Sequence, residues 1–561
     1  MKKTFVIVFG ILLLAVFTIL WYLKRDTADP YQELNWGRFG GSCLSSDLPA
    51  DDYGKEVQGC DYSVPSEEIP TFTKVDFDFK NNFEESSSLP LMASALIDLE
   101  NDGVDEVFVG GGLMDADAIY RYDGDEFINV SSEISLPEKS DGVTYGAVSF
   151  DLDDNGYTDL ILSGDYGVRW LRRSEDGFET IDLKVPLNSK SSAATTTIGD
   201  IDNDGDADIF LSAYIRKDQM EGQTIFKDPN YGASSILLQN NGDQSFTDVT
   251  KAYGLSYVHN TFQGVLVDVD KDGFLDLVVA YDTGEARTYK NEGGKKFVEM
   301  SNPLTGKYAY PMGIGVGDFN NDDQIDFFFS NTGSSVPSFL ARGDLEEDDV
   351  FNSNWLLYRN DGGFSFSDVA SEVKLTNFEF SWGAVFEDFN LDGRQDLAVA
   401  ENYVAFPPHK VFKLPCRFFI QRPDGTFAAV EDQAGVVNKN YAITPLVSDF
   451  NLDGYPDMLY ANLDGKVRAY LNEGGDKSYI AFRFEENAKH AGCKVKITLD
   501  DVSTLSDVYV IGEGLASDQT STLTFGLGDQ GKKPVSAEIS YPGGDKKQIT
   551  NPKINKVHMI R

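Results

Sequence analysis

The sequence predicts an all-β chain: a seven-bladed β-propeller closed by an N-terminal strand, a small C-terminal β domain, and an apolar helix ahead of both. Three observations predict it. A nine-residue acidic phrase, clearest at Asp200-Ile-Asp202-Asn-Asp204-Gly205-Asp206-Ala-Asp208, recurs seven times, starting at Asp98, Asp151, Asp200, Asp268, Asp318, Asp388 and Asp449. Short strand-like runs recur around it, four to a unit, which is the pattern of repeated four-stranded sheets. After the seventh copy the phrase stops, while strand-like runs separated by glycine-rich turns continue.

Taken in order, residues 1–25 form a membrane anchor or signal segment. Thr4 to Leu23 is apolar and of spanning length, with Lys2 and Lys3 before it and Lys24 and Arg25 after. An uncleaved anchor and a removed signal peptide both fit, and either implies export of the rest. Residues 26–70, rich in Gly, Ser, Asp and Pro, read as a stalk or linker. Residues 71–477 are the propeller. Its first strand, Phe72-Thr-Lys-Val-Asp-Phe-Asp-Phe79, alternates as a half-buried strand does. In the second unit the four strands are Tyr145–Phe150, Leu160–Gly164, Val168–Leu171 and Phe178–Leu183. In the fourth they are Gly264–Val267, Leu277–Ala280, Ala286–Tyr289 and Phe297–Met300. The seventh unit lacks a fourth strand, so Phe72–Phe79 is expected to fill that place, remove the open sheet edge and close the ring. Residues 478–561 form the tail, with strands expected at Tyr479–Phe484, Lys494–Leu499, Asp507–Ile511, Thr522–Phe525 and Val535–Tyr541.

The net charge of −43 over 561 residues argues against nucleic acid and anionic membrane surfaces as partners of the folded part. It suits bound cations. The four cysteines (Cys43, Cys60, Cys416, Cys493) lack metal-ligand spacing and suit disulfides in an oxidising compartment, as Cys43–Cys60 or Cys416–Cys493.

The phrase has the chemistry of a calcium loop. Calcium takes six to eight oxygens at flexible geometry, and side chains at positions 1, 3 and 5 of a tight turn converge on one point. Position 9 closes the set, and glycine at position 6 permits the left-handed turn. The ligand candidates are Asp98, Glu100, Asp102 and Glu106; Asp151, Asp153, Asn155 and Asp159; Asp200, Asp202, Asp204 and Asp208; Asp268, Asp270, Asp272 and Asp276; Asp318, Asn320, Asp322 and Asp326; Asp388, Asn390, Asp392 and Asp396; and Asp449, Asn451, Asp453 and Asp457. This gives up to seven Ca2+ sites. Copy one is the weakest, because Glu100 and Glu106 are each a methylene longer, and copy five carries Asp323 where glycine is expected. Acidic turns without an ion are the competing reading; three or four carboxylates in one turn repel strongly without a cation.

With strands on both sides and this spacing, the phrase resembles the FG-GAP/VCBS repeat. The tail resembles the ASPIC/UnbV domain through Gly492-Cys-Lys-Val495, Gly512-Glu-Gly514, Phe525-Gly-Leu-Gly-Asp529, Tyr541-Pro-Gly543 and Asn555-Lys-Val557. The resemblance implies an exported, calcium-binding propeller with adhesive or interaction roles at the cell surface, and no settled activity. Where Cys493 stands the family usually has Ala.

Strand order places the acidic loops, between first and second strands, on one face of the ring. Three long insertions between second and third strands (about residues 214–235, 330–354 and 400–416) then fall on the other face. Their aromatic and basic residues Tyr214, Arg216, Tyr231, Phe339, Arg342, Tyr403, Phe406, His409 and Lys410 are the candidate contacts for a protein or glycan partner, because function concentrates on loops. Catalysis is not expected. The chain has four histidines (His259, His409, His490, His558), none paired for metal, and no Gly-x-Ser-x-Gly elbow. A carbohydrate-active propeller and a structural subunit of a surface assembly are the alternatives to an adhesion or interaction module.

Overall fold

The computed structural model describes residues 64–83, 87–139, 142–220, 231–333, 342–404, 413–528 and 531–561. The apolar segment 4–23, Cys43 and Cys60 lie outside them. Among the described residues no helix is long and apolar enough to cross a membrane.

The chain is all-β and propeller-like. Seven successive antiparallel sheets each hold one copy of the acidic phrase between their first two strands. Sheet two, for example, consists of Thr144–Phe150, Asp159–Gly164, Gly167–Ser174 and Gly177–Leu183. Sheet four consists of Thr261–Val267, Asp276–Tyr281, Ala286–Asn291 and Phe297–Met300. First strands are almost wholly buried; that of sheet three, Ser191–Gly199, shows no exposed residue. Most fourth strands, such as Gly177–Leu183, face solvent in part, whereas Phe427–Ala429 of sheet six is buried. The first strand of each sheet packs beside that of the next, and Tyr441–Ser448 of sheet seven returns to Ser94–Ile97 of sheet one.

Sheet seven takes its fourth strand from the N-terminal side. Phe72–Val75 pairs antiparallel with Arg468–Asn472, Phe72 opposite Asn472 and Val75 opposite Ala469. Thr71 and Thr73 both donate hydroxyl bonds to Glu473, at 2.8 Å. Phe72 buries its ring edge-on against Phe418 and Phe389, and Phe77 stacks on Phe127 of sheet one. Each such ring contributes about 2–3 kcal/mol of apolar burial, so the segment is held by its side chains as well as its ladder.

The tail forms two sheets. One joins Thr522–Gly526, Tyr479–Phe484 and Val557–Ile560; the other joins Thr504–Val508, Lys494–Leu499, Pro534–Ser540 and Lys546–Thr550. The strand expected at Asp507–Ile511 ends at Val508, because the chain then leaves its sheet and enters the middle of the ring. There Thr197 donates to the carbonyl of Ile511 (2.6 Å), Gln263 to that of Gly512 (2.6 Å), and the Val316 amide to Glu513 (2.8 Å). Ile314 and Gly514 exchange amide–carbonyl bonds at 3.1 Å. Ser517 and Asp518 add a parallel bridge to Ser94 and Ala95 of sheet one, Asp518 accepts from the Ser149 amide (2.9 Å), and Gln519 from that of Val447 (3.1 Å). Residues 511–519 are thus an axial plug bonded to the first strands of six of the seven sheets. Gly512 and Gly514 adopt φ of 85° and 97°, and a Cβ on either would lie 2.6 Å from Thr196 O or from Ser517 Oγ and Thr444 Oγ1. That is the physical reason for the Gly512-Glu-Gly514 motif.

The expected Cys416–Cys493 disulfide is absent. Both thiols are free and buried, Cys416 in the core under sheets six and seven and Cys493 in the tail core. They serve as small apolar fillers, and burial pushes the Cys416 thiol up to about 12.

Candidate metal centre

Each acidic loop is built by its own backbone before any ion is considered. The carboxylate at position 1 accepts the amides of positions 5 and 6. Asp200, for example, accepts Asp204 N at 3.1 Å and Gly205 N at 2.9 Å. In copies two, three, four, six and seven the carboxylate at position 9 accepts the amide of position 2 with one oxygen and a third-strand amide with the other: Asp208 takes Ile201 N (3.0 Å) and Asn240 N (2.8 Å). Position 6 is a left-handed glycine in six copies. Position 4 is also left-handed in all seven, with φ from 53° at Asn101 and Asp154 to 63° at Lys271. The sequence reading recognised only the glycine; Asn or Asp at position 4 in four copies was the available signal.

In copies two, three and four this scaffold brings three carboxylates together. Oxygens of Asp151, Asp153 and Asp159, of Asp200, Asp202 and Asp208, and of Asp268, Asp270 and Asp276 lie within 4.8 Å of one another in each set. These triads could hold a metal ion. In each, the position-3 residue (Asp153, Asp202 or Asp270) keeps its Oδ1 buried without a hydrogen-bond partner. Its other oxygen is held from the third strand, by Arg172 (2.6 Å), Gln239 (2.5 Å) or Lys290. A buried acceptor left open beside two further carboxylates fits a hard cation. Burial pushes the position-9 groups far up in the ion-free loops: Asp159 to about 7, and Asp208, Asp276 and Asp457 to about 8. Asp326 and Asp396 are also raised well above the usual carboxylate range, for the same reason.

Copies six and seven keep the same hydrogen-bonded frame, with Asn at position 3; copy five keeps it at position 1, while Asp326 takes the Asn360 amide (2.8 Å) and leaves its other oxygen buried without a partner. Asn320, Asn390 and Asn451 turn their carbonyl oxygens onto the amide of position 5, at 3.0–3.2 Å. Copy one differs more: Arg121 reaches both Glu100 (2.6 Å) and Glu106 (2.7 Å), and Arg483 of the tail reaches Asp98 (3.2 Å) and Asp105 (2.5 Å).

Adjacent loops are linked by side-chain amides at the ends of third strands. The residue ending the third strand of sheets four to seven sends its side-chain amide to the position-2 carbonyl of the preceding loop. Asn291 donates to Ile201 O (2.7 Å), Asn360 to Val269 O (3.2 Å), Gln421 to Phe319 O (2.8 Å) and Asn472 to Phe389 O (2.9 Å). The recurring Asn before an x-Gly turn was the visible signal.

The tail lies over the loop face. Asp151 N donates to Glu486 O (2.6 Å), Gly543 N to Gly273 O (2.7 Å) and Gly526 N to Asp388 (3.0 Å). Ser506 donates to Asp318, and Tyr479 fills the space where Gly454 would carry a Cβ. Asp323, the residue standing where glycine was expected, adopts φ of 72°. It pairs with Lys494 (2.8 Å), Lys496 (3.1 Å) and Lys271 (3.1 Å). These hydrogen-bonded ammonium groups hold its carboxyl well below the usual range despite burial.

On the opposite face the expected contact residues are less free than their types suggest. Tyr214 is buried and donates to the Asp282 carboxylate. Tyr403, half-buried, donates to Glu379 (2.7 Å), and Tyr231 packs at the edge of the core. Arg342 caps its own loop through Asp349 O (3.1 Å) and Glu346 O, and Arg216 pairs with Asp218 at 3.4 Å. A hydroxyl lets a tyrosine sit inside while satisfying a buried carboxylate, which is why its position in an insertion misled. Phe339, Phe406, His409 and Lys410 lie outside the described residues. Of the other histidines, His259 is buried and held at about 4 by burial and Arg287, His490 is buried in the tail, and His558 stacks on Phe482.

Comparison with known proteins agrees with this architecture. The model of the FG-GAP-like repeat matches residues 151–211 and 268–329, covering copies two to five, and the ASPIC and UnbV model matches residues 484–561. Cartilage acidic protein 1 of Xenopus tropicalis is 28% identical over 242 residues, 42% of this chain and 32% of that protein. The Homo sapiens protein is 27% identical over 198 residues, 34% of this chain and 27% of that one. The chain thus spans about a third of the length of the curated relatives it matches. Among solved structures, BBS1N in complex with ARL6DN aligns over 73% of this chain and 99% of its own, at 10% identity and a TM-score of 0.42. The chain carries FG-GAP-like repeats followed by a C-terminal ASPIC/UnbV domain, and is similar to cartilage acidic protein 1.

Proposed function

We propose that this chain is an exported, seven-bladed, calcium-stabilised propeller that presents its insertion face to a protein or glycan partner at the cell surface. The observation that carries the reading is the position of the tail. It occupies the acidic-loop face at six of the seven loops and plugs the axis, so the face that offers room for a partner is the one bearing the three insertions. Calcium on this reading is structural. It would be held by the triads of copies two, three and four, where it supplies charge compensation for buried carboxylates, while Asp and Asn oxygens of the other copies offer weaker sets.

Replacing residues 334–341 by a short Gly-Ser connection, which spares the buried Ser330, Asn331 and Thr332, tests this. The expected result is normal melting and calcium binding with loss of cross-linking to its partner on intact cells. Unchanged cross-linking by all three insertion replacements would sink the reading. Turnover of a glycan on an array, rather than binding alone, would replace it with the carbohydrate-active alternative.

A further inference from the structure

In the first acidic loop, arginines reach positions 1, 3 and 9 and stand where its cation would. Its ligand set would be Asp98, Glu100, Asp102 and Glu106. Glu100 and Glu106, each a methylene longer than Asp, open a gap that Arg121 of the third strand enters. Its Nε meets Glu106 Oε1 at 2.7 Å and its terminal nitrogen meets Glu100 Oε1 at 2.6 Å. One edge of the planar guanidinium thus clamps positions 3 and 9 together, a geometry an ammonium could not reproduce. Asp98, at position 1, accepts Asp102 N and Gly103 N and is further bound by Arg483 at 3.2 Å. Arg483 comes from the tail and also pairs with the buried Asp105 at 2.5 Å.

The contrast with copies two to four is direct. Arg172 and Lys290 also approach position 3 there, but Asp153 and Asp270 retain a buried, unpartnered oxygen turned to the triad. Copy one has no such open acceptor and no triad among the described residues. A divalent ion placed among its carboxylates would also lie beside two fixed guanidiniums, whose repulsion works against it.

We propose that loop one is not a calcium site, and that Arg121 and the tail residue Arg483 take the ion's place there. The ring and the tail are then joined at sheet one by ion pairs that persist when calcium falls, while loops two to four depend on the ion. This rests on the calcium reading of those loops. The test is equilibrium dialysis of the full chain with Ca2+, comparing wild type, Asp200→Asn and Asp98→Asn. Asp200→Asn is expected to lose one bound calcium per chain and Asp98→Asn none. A loss of one calcium in both variants overturns the proposal. Absence of calcium from wild type overturns the calcium reading itself and the inference with it. Hydrogen exchange of the wild-type chain covers the case in which Asp98→Asn fails to fold. Chelation should accelerate exchange in residues 201–208 and leave 99–106 unchanged; acceleration in both segments overturns the proposal.

Discussion

Asp323 shows how a single residue that breaks the repeat becomes an anchor. At position 6 every other copy has glycine, and a left-handed non-glycine residue costs about 1 kcal/mol. The three lysines around it exceed that cost, since hydrogen bonds to charged groups are worth about 1.5–3 kcal/mol each where partly buried. Asp323→Gly should therefore remove strain and still destabilise, by about 1–2 kcal/mol net. The loss should fall on the tail: limited proteolysis is expected to cut between the ring and residues 494–541 sooner than in wild type. A variant that is more stable, with an equally protected tail, would show that the lysines contribute nothing. The pairing was invisible in the sequence, because Lys494 and Lys496 lie about 170 residues from Asp323 and nothing in their own strand marks them as partners.

Strands and loops were the most legible part, for a physical reason. Each repeat encodes the same local problem, a buried first strand, an acidic turn and a half-buried last strand, and seven solutions reinforce one another. Thus Phe297–Met300 was placed to the residue, and Phe72–Phe79 was recognised as the missing fourth strand because sheet seven had no local candidate, although only Phe72–Val75 of it joins the ladder. What failed was any feature set by distant contacts: the axial plug, the tail over the loop face, the buried Tyr214 and the free Cys416 and Cys493. The inter-sheet amides belong to the same class, and they give a prediction at this scale. Asn291→Ala strips bonds to Ile201 O (2.7 Å), Leu275 O (3.0 Å) and Gly294 N (2.9 Å). It should cost about 2–4 kcal/mol, because the carbonyls left behind are buried. Urea unfolding with an unchanged midpoint would contradict it. Deleting residues 71–80 should be worse, opening sheet seven to pairing with other chains; recovery of a monomeric, cooperatively folding product would refute the closing role of that strand.

For the whole molecule, the acidic loops tie calcium, pH and stability together. Without an ion, burial raises Asp159 to about 7 and Asp208, Asp276 and Asp457 to about 8, against 3.8 in the unfolded chain. A folded-state value above the unfolded one means the neutral acid is favoured on folding. Its stabilising contribution is complete below about pH 3.8 and is lost as pH rises through 7 and 8. Beyond those values each group loses no more, while between them the cost is about 1.4 kcal/mol per group and pH unit. A bound calcium reverses the preference by requiring the carboxylate, so binding releases protons and strengthens as pH rises. The chelated protein should therefore melt at a lower temperature near pH 9 than near pH 6, and the calcium-loaded protein should not. The gap between the two melting temperatures widens with pH, which calorimetry at fixed ionic strength would read directly. A gap independent of pH would mean that the position-9 carboxylates are not the groups that calcium neutralises. The sign follows from burial alone, because all four groups sit where second strands begin, under the ring's own loops, and no lysine or arginine pairs with them in the structure among the described residues.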